Sequence, residues 1–206
     1  NQTICVTSCA ENDGKSTVCF HLAEIFAEDE KNVLLIDADM RNSVLYRQQG
    51  FDQNMPGLSN VLSGQSKLSE TIYKTSTPHL YLMPTGRFPA NPTELLNKER
   101  FDRIIETART SFDYVIIDTP PLGPVIDAAV IAKVVDGSIL VISANRVSRR
   151  AAAAIRNQLI QANSNLLGVI LNRVETKKKG YGYGDSYGYG YGYGYGQDRH
   201  KGKKEK

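Results

Sequence analysis

Short, unbroken apolar runs separated by longer stretches of mixed character set the rhythm of this chain. Val33-Leu34-Leu35-Ile36, Val115-Ile116-Ile117 and Ile139-Leu140-Val141-Ile142 are continuous rather than alternating. Unbroken runs of this kind, rich in β-branched residues, mark strands buried on both faces, as in a parallel sheet covered by helices. Strands are predicted at 3–8, 32–37, 79–83, 113–118, 137–143 and 166–171, and helices near 15–29, 58–63, 93–109, 126–134 and 147–162. Strands alternating with helices require right-handed crossovers. The expected fold is therefore α/β, a doubly wound, mostly parallel sheet with helices on both faces. Ligands bind such sheets beyond the carboxyl ends of the strands.

The pattern stops near Lys177. Residues 177–206 contain no aliphatic side chain. They cannot bury enough surface to offset ordering entropy, so the expected organisation is a domain over 1–176 and a disordered, basic Tyr/Gly-rich tail over 177–206. A weakly self-associating low-complexity tract is the compositional alternative for the tail. Charge divides at the same place. The 206 residues carry a net +3, and the tail holds eight Lys or Arg against three Asp or Glu, which leaves the body at about −2. Basic character thus belongs to the tail, and no nucleic-acid partner is expected. Cys5, Cys9 and Cys19 lack any C-x-x-C spacing. Buried reduced thiols, and with them the cytoplasm, are the expectation. No apolar run approaches the length of a membrane span and no signal peptide is visible. The chain starts at Asn1 directly before a strand, which suggests processing or a fragment of something longer.

Three short motifs fall at the carboxyl ends of predicted strands. Gly14-Lys15-Ser16 follows the first strand and opens a helix, the context a phosphate-binding loop requires, although Cys9 stands where G-x-x-x-x-G-K-[ST] begins with Gly. The loop residues Glu11, Asn12, Asp13 and Gly14 and the helix start would present backbone N–H groups to phosphates. Lys15 would reach the β- and γ-phosphates of ATP, Ser16 would ligate Mg²⁺, and Thr17 could touch the α-phosphate. Asp37, Asp39 and Arg41 end the second strand. Asp37 could orient or deprotonate a hydroxyl, while Asp39 approaches the metal or its waters. Asp118 ends the strand "YVIID", where such folds hold Mg²⁺ through an acid. A Gly-Lys-Ser or an Asp-rich turn alone would be an ordinary corner. Three acids in this order after the loop make a Mg-nucleotide site with P-loop NTPase character. Asn172 closes the last strand, either to read adenine or as a polar strand terminus.

These motifs, together with "PGLSNVLSG" (56–64), "GRFPANPTELL" (86–96) and the tyrosine-rich C-terminus, resemble the bacterial protein-tyrosine kinases of capsule and exopolysaccharide systems. Plasmid-partition and division-site ATPases are relatives of that family. The resemblance covers roughly residues 3–174 by order. It implies an ATP- and Mg-dependent kinase that autophosphorylates Tyr181, Tyr183, Tyr187, Tyr189, Tyr191, Tyr193 and Tyr195, with Lys15, Asp37, Asp39 and Asp118 as the catalytic set. It also implies a ring-like homo-oligomer in which one subunit's tail enters its neighbour's site, a transmembrane co-polymerase or activator, a cognate tyrosine phosphatase, and a place at the inner face of the plasma membrane. Departures are Asn12 and Ala90, where family members often carry Gly and Pro. The family's Glu/Arg oligomerisation motif precedes the first strand and is not in this chain. Glu106 and Arg109 reproduce part of its spacing, with Phe112 at the next position. The rival reading is a nucleotide-switched positioning ATPase. Such enzymes carry a second lysine early in the loop, and positions 8–13 hold none. Seen as substrate, the tail spans 21 residues from Val174 to Tyr195. That gives an r.m.s. reach of about 25 Å and an extended limit of roughly 70 Å.

Overall fold

The computed structural model describes residues 1–48, 50–52 and 54–174. The predicted tail and its seven tyrosines lie outside the described residues. Seven strands form one sheet: β1 (Thr3–Ser8), β2 (Val33–Asp37), β3 (Tyr73–Lys74), β4 (Leu80–Met83), β5 (Tyr114–Asp118), β6 (Gly137–Ser143) and β7 (Leu166–Asn172). Their order is β3-β4-β2-β5-β1-β6-β7, parallel throughout except for β3 against β4. The helices are α1 (Lys15–Glu28), α2 (Leu45–Gln48), α3 (Leu58–Leu62), α4 (Pro92–Leu96), α5 (Glu99–Ser111), α6 (Asp127–Ala132) and α7 (Arg149–Gln161), with a 3₁₀ turn at Leu68–Glu70.

Every residue of β1 and β2 is buried, as unbroken apolar runs require. One face of the sheet packs Ile4, Val6, Val33, Leu35, Leu80 and Ile116 against Cys19, Ala23 and Ala27 of α1. The other packs Leu34, Ile36, Val115 and Ile117 against Phe101, Ile104 and Ile105 of α5 and Leu159 of α7. The three cysteines are free and buried. Burial pushes Cys5 and Cys9 up to about 11 and Cys19 well above the ordinary thiol range, so these thiols stay protonated.

One expectation changes. The predicted helix over 93–109 is two helices, because Asn97 ends α4 and Lys98, in extended backbone, starts α5. The break turns the first piece toward α6, where Thr93 meets Asp127. The last strand, β7, is an edge strand with Leu167, Val169, Ile170 and Leu171 exposed. An apolar run reports residue type, and position in the sheet decides what covers it.

The amino end of the sheet is held by an ion pair. Arg109 Nη1 meets Asp136 Oδ1 at 2.8 Å, while Asp136 Oδ2 accepts from the N–H groups of Gln2 and Thr3 at 2.7 and 2.9 Å. Arg109 Nη2 also donates to Thr3 Oγ1. Arg109 is therefore committed inside its own domain, with Glu106 beside it at 3.6 Å. Although partial burial opposes its charge, the hydrogen bonds from Thr3, Gln2 and Arg109 win and hold Asp136 down to about 2. The depressed carboxylate contributes stability above the ordinary Asp range that is lost as pH falls toward 2. Asp136→Ala is expected to cost about 1–2 kcal/mol at pH 7, after allowing for solvent screening, and nothing near pH 2. Urea unfolding across pH 2–7 measures this.

Candidate nucleotide site

The end of β1 turns into α1 through a loop with its own internal bracing. Asn12 and Gly14 both take left-handed backbone, at φ 61° and 94°. Glycine is favoured at 14 by its φ of 94°, and a Cβ there would also displace the Asn172 amide, 2.1 Å away. Asp13 is buried, and its Oδ2 accepts from Ala10 N–H at 2.9 Å across the turn. Two side chains hold the loop's carbonyls from outside: Asn172 Nδ2 donates to Asp13 O at 2.9 Å, and Arg146 Nη1 donates to Asn12 O at 3.3 Å. The first turn of α1 carries no acid, so no carboxylate of its own competes for the N–H groups at its start.

That cavity has a volume of about 300 Å³. Glu11, Asn12, Gly14, Lys15, Ser16 and Thr17 form one wall, Asp39, Arg41, Asn42 and Val44 a second, and Pro120, Pro121, Pro124, Val125 and Arg173 the rest. Lys15 Nζ lies 3.0 Å from Asp39 Oδ2 and 3.3 Å from Ser16 Oγ. Burial works against the Lys15 charge, but Asp118 and Asp39 more than offset it and raise its pKa.

The strand register sets the acids side by side. Asp37 and Asp118 are partners across β2 and β5, and both are fully buried. Neither oxygen of Asp118 has a partner at hydrogen-bonding geometry, although the Ser16 hydroxyl and the Cys19 thiol lie close enough to lower its proton affinity. Burial raises both acids. The Asp118 charge adds to the effect on Asp37, which rises to about 7, while the Lys15 ammonium draws Asp118 part of the way back, to about 6.

The structure brings Lys15, Ser16 and Asp39 to the cavity, while Asp118 is fully buried and does not line it, and four neighbours make other contacts. Asp37 does not line the cavity; its Oδ1 accepts from Asp39 N–H and its Oδ2 from the Ser43 hydroxyl. Arg41 lines the cavity, but its guanidinium is bidentate on Asp127, with Nε at 2.7 Å and Nη2 at 3.2 Å, and also donates to Thr93 Oγ1. Asp13 braces the loop instead of facing the cavity. Asn172 has its amide on Asp13 O and its oxygen on the Arg173 N–H, which leaves one N–H and one lone pair for another partner. A carboxylate such as Asp127 forms the guanidinium's best partner, and only tertiary contact could reveal it. Sequence reasoning also missed the parts played by Ser43, Thr93, Arg146 and the proline wall, although Thr93 lies within "GRFPANPTELL" and Pro120 and Pro121 closely follow Asp118.

The comparisons with known proteins fit this geometry. Residues 1–174 match the family described as an AAA domain. Tyrosine-protein kinase CpsD of Streptococcus agalactiae serotype III is 44% identical over 181 residues, covering 88% of this chain and 78% of that one. The kinase domain of Escherichia coli tyrosine kinase ETK superimposes with a TM-score of 0.83 at 32% identity, over 91% of this chain and 73% of that one. The chain belongs to the bacterial protein-tyrosine kinases. The septum site-determining protein MinD of Pyrococcus horikoshii, solved with Mg-ADP, is more distant, with a TM-score of 0.71 at 25% identity over 82% of this chain and 69% of that one. The kinase reading therefore prevails over the positioning ATPase, and this tyrosine kinase binds nucleotide in a P-loop-type site. No described helix is long and apolar enough to cross a membrane.

Proposed function

We propose that this kinase uses ATP and Mg²⁺ to phosphorylate tyrosines 181, 183, 187, 189, 191, 193 and 195 of a second copy's tail. The observation that carries the reading is Asp118, a fully buried carboxylate with neither oxygen partnered, beside Lys15 and Ser16. Leaving such a group unsatisfied is costly unless a cation completes it. Among the described residues no cluster of three or more His, Cys, Asp or Glu could hold a metal alone. That suits Mg²⁺, which is held through one or two carboxylates and completes its shell with phosphates and water. Ser16, Asp118 and Asp39 would hold it, and once bound it would neutralise charge on the β- and γ-phosphates.

The remaining chemistry belongs to the chain. The loop N–H groups bind the phosphates, and Lys15 exchanges its Asp39 partner for phosphate oxygens. Burial gives Asp37 a proton affinity near neutrality, which suits a general base, and its carboxylate takes the tyrosine proton once the Ser43 hydroxyl turns aside. Asp13, Asn172 and Arg146 keep the loop in shape throughout. Resemblance to capsule and exopolysaccharide kinases extends the proposal to the setting. A transmembrane activator would turn the enzyme on at the inner membrane face, and a phosphatase would reset the tail. Four phosphates add roughly −6 to −8, enough to reverse the tail's charge.

The test mixes active chain with full-length Lys15→Met chain, labelled ATP and Mg²⁺, then maps phosphopeptides. Label on the tail tyrosines of the Lys15→Met copy is expected. ATP hydrolysis without phosphotyrosine would overturn the proposal in favour of a switch ATPase.

A further inference from the structure

On the reading that a second copy's tail is the substrate, we propose that the outer edge of β7 receives the first Gly-Tyr block of that tail, residues 180–184, as an added parallel strand. The second block, residues 187–196, is thereby led toward the nucleotide site.

The edge offers what a strand needs. Among the described residues no strand pairs with the outer side of β7. Asn172 O accepts from Ala144 N–H at 2.8 Å, so Asn172 turns its backbone groups toward β6. Alternate residues do the same, which leaves Val169 and Leu171 presenting their N–H and C=O groups outward. Their side chains are exposed, at 51% and 58%. Natural edges are usually blunted by charge, proline or a bulge. Residues 166–172 hold no charge and no proline. The irregularity in the β6–β7 register falls between Ser138 and Ile139, at the start of the pairing, and leaves 168–172 regular.

The tail supplies the complementary strand. Glycine and tyrosine alternate through 180–184 and 187–196, with Asp185-Ser186 between the two blocks. A period of two is the period of a strand, so the rings share one face and the other face carries no side chain. Glycine makes such a strand too weak to stand alone, and a ladder supplied from outside removes that weakness. The five residues 180–184 match the five residues 168–172, which sets Tyr181 and Tyr183 against Val169 and Leu171, an aromatic-aliphatic pairing that sheets favour. Neither block is charged, as the edge is not; the basic residues of the tail lie at 177–179 and beyond 198.

The place of the edge gives the docking a consequence. Strand β7 ends at the nucleotide cavity: Asn172 Nδ2 donates to Asp13 O of the phosphate loop at 2.9 Å, and Arg173 lines the cavity. A strand parallel to β7 therefore leaves the edge at the end of the sheet that carries the acids. Five strand spacings, roughly 24 Å, separate the added strand from β2 and Asp37. Residues 185–195 span at most about 36 Å when extended, so the later tyrosines of the second block reach that far.

The experiment uses the full chain and two synthetic acceptors. One is residues 180–197 with Tyr181→Phe and Tyr183→Phe, the other residues 187–197, so both carry the same acceptor tyrosines. The longer peptide is expected to show a KM about three- to tenfold lower, the range for two cross-strand pairs, with kcat and ATP KM equal. In the kinase, Val169→Lys with Leu171→Lys should erase that difference while leaving the shorter peptide's KM, the ATP KM and the melting temperature unchanged, and Leu171→Phe should preserve it. Equal KM for the two peptides in wild type overturns the inference, and so does a difference that survives the lysine pair. A change in sedimentation by the lysine pair with the KM difference unmoved also overturns it, and makes the edge a contact between two β7 strands. Wild type that hydrolyses ATP but labels neither peptide removes the underlying substrate reading instead, a result distinguishable because it precedes any variant.

Discussion

Asp118→Asn is expected to abolish phosphotransfer and, in the nucleotide-free protein, to raise the melting temperature at pH 8. Both effects have one origin. The Asp118 carboxylate is fully buried, neither oxygen has a partner, and Asp37 is its neighbour across the sheet. Its folded pKa is raised, to about 6. The folded state therefore holds a proton that the unfolded state has released between the ordinary Asp range and pH 6. Stability falls as pH rises through that window and stays lowered above it. Asparagine keeps the shape and removes the charge, which relieves roughly 1–3 kcal/mol at pH 8, or about 3–10 °C, and nothing near pH 4. Lys15 keeps Asp39 as a partner in the variant, so no buried cation is stranded. Activity should fall by at least about two orders of magnitude, because the acid that would hold the metal is gone. Differential scanning calorimetry across pH 4–8, paired with phosphotyrosine formation, reads both. A variant less stable at every pH would show that the carboxylate is stabilising as it stands.

Lys15→Met is expected to end phosphotransfer and to cost stability as well. Lys15 is not a free loop lysine in the ligand-free fold: its ammonium sits 3.0 Å from Asp39 Oδ2 in a pair whose side chains are 12% and 3% exposed. Removing the cation leaves Asp39 buried beside Asp37 and Asp118, and breaking a buried pair from one side typically costs about 3–5 kcal/mol. The raised Asp118 would rise further, since the Lys15 charge is what draws it down. Lys15→Met with Asp39→Asn should recover most of the lost stability and none of the activity. Chemical unfolding of the single and double variants forms a double-mutant cycle with a coupling of about 2 kcal/mol or more. Equal stability of Lys15→Met and wild type would mean that the pair contributes nothing to the fold. Undiminished tyrosine phosphorylation in Lys15→Met would remove the site assignment altogether.

The acids were legible because each ends an unbroken apolar run. A strand buried on both faces has one polar position where it leaves the sheet, and in a parallel sheet these positions collect at one edge. The same logic located the phosphate loop despite Cys9, because strand, glycine and helix follow in order. Arg41 shows where the reasoning stops. It stands two residues from Asp39, yet its guanidinium turns to Asp127, 86 positions along the chain. The two-helix character of residues 92–111 was equally hidden, because Asn97 and Lys98 are compatible with a helix interior and only the packing of Thr93 toward Asp127 demands the break.

The sequence alone determined the layered α/β architecture, the loop and the three acids, each a local pattern of side-chain type and spacing. The tertiary structure decided which charges meet. The strand order places β5 between β1 and β2. That order, not the spacing along the chain, sets Asp37 against Asp118, seats Lys15 on Asp39, and leaves the Asp118 oxygens unpartnered. Periodicity reports how a residue faces its own element, and it carries no record of which strand arrives alongside. Electrostatics depends steeply on distance and burial, so the proton affinities that suit these residues to phosphotransfer exist only once the sheet has closed around them.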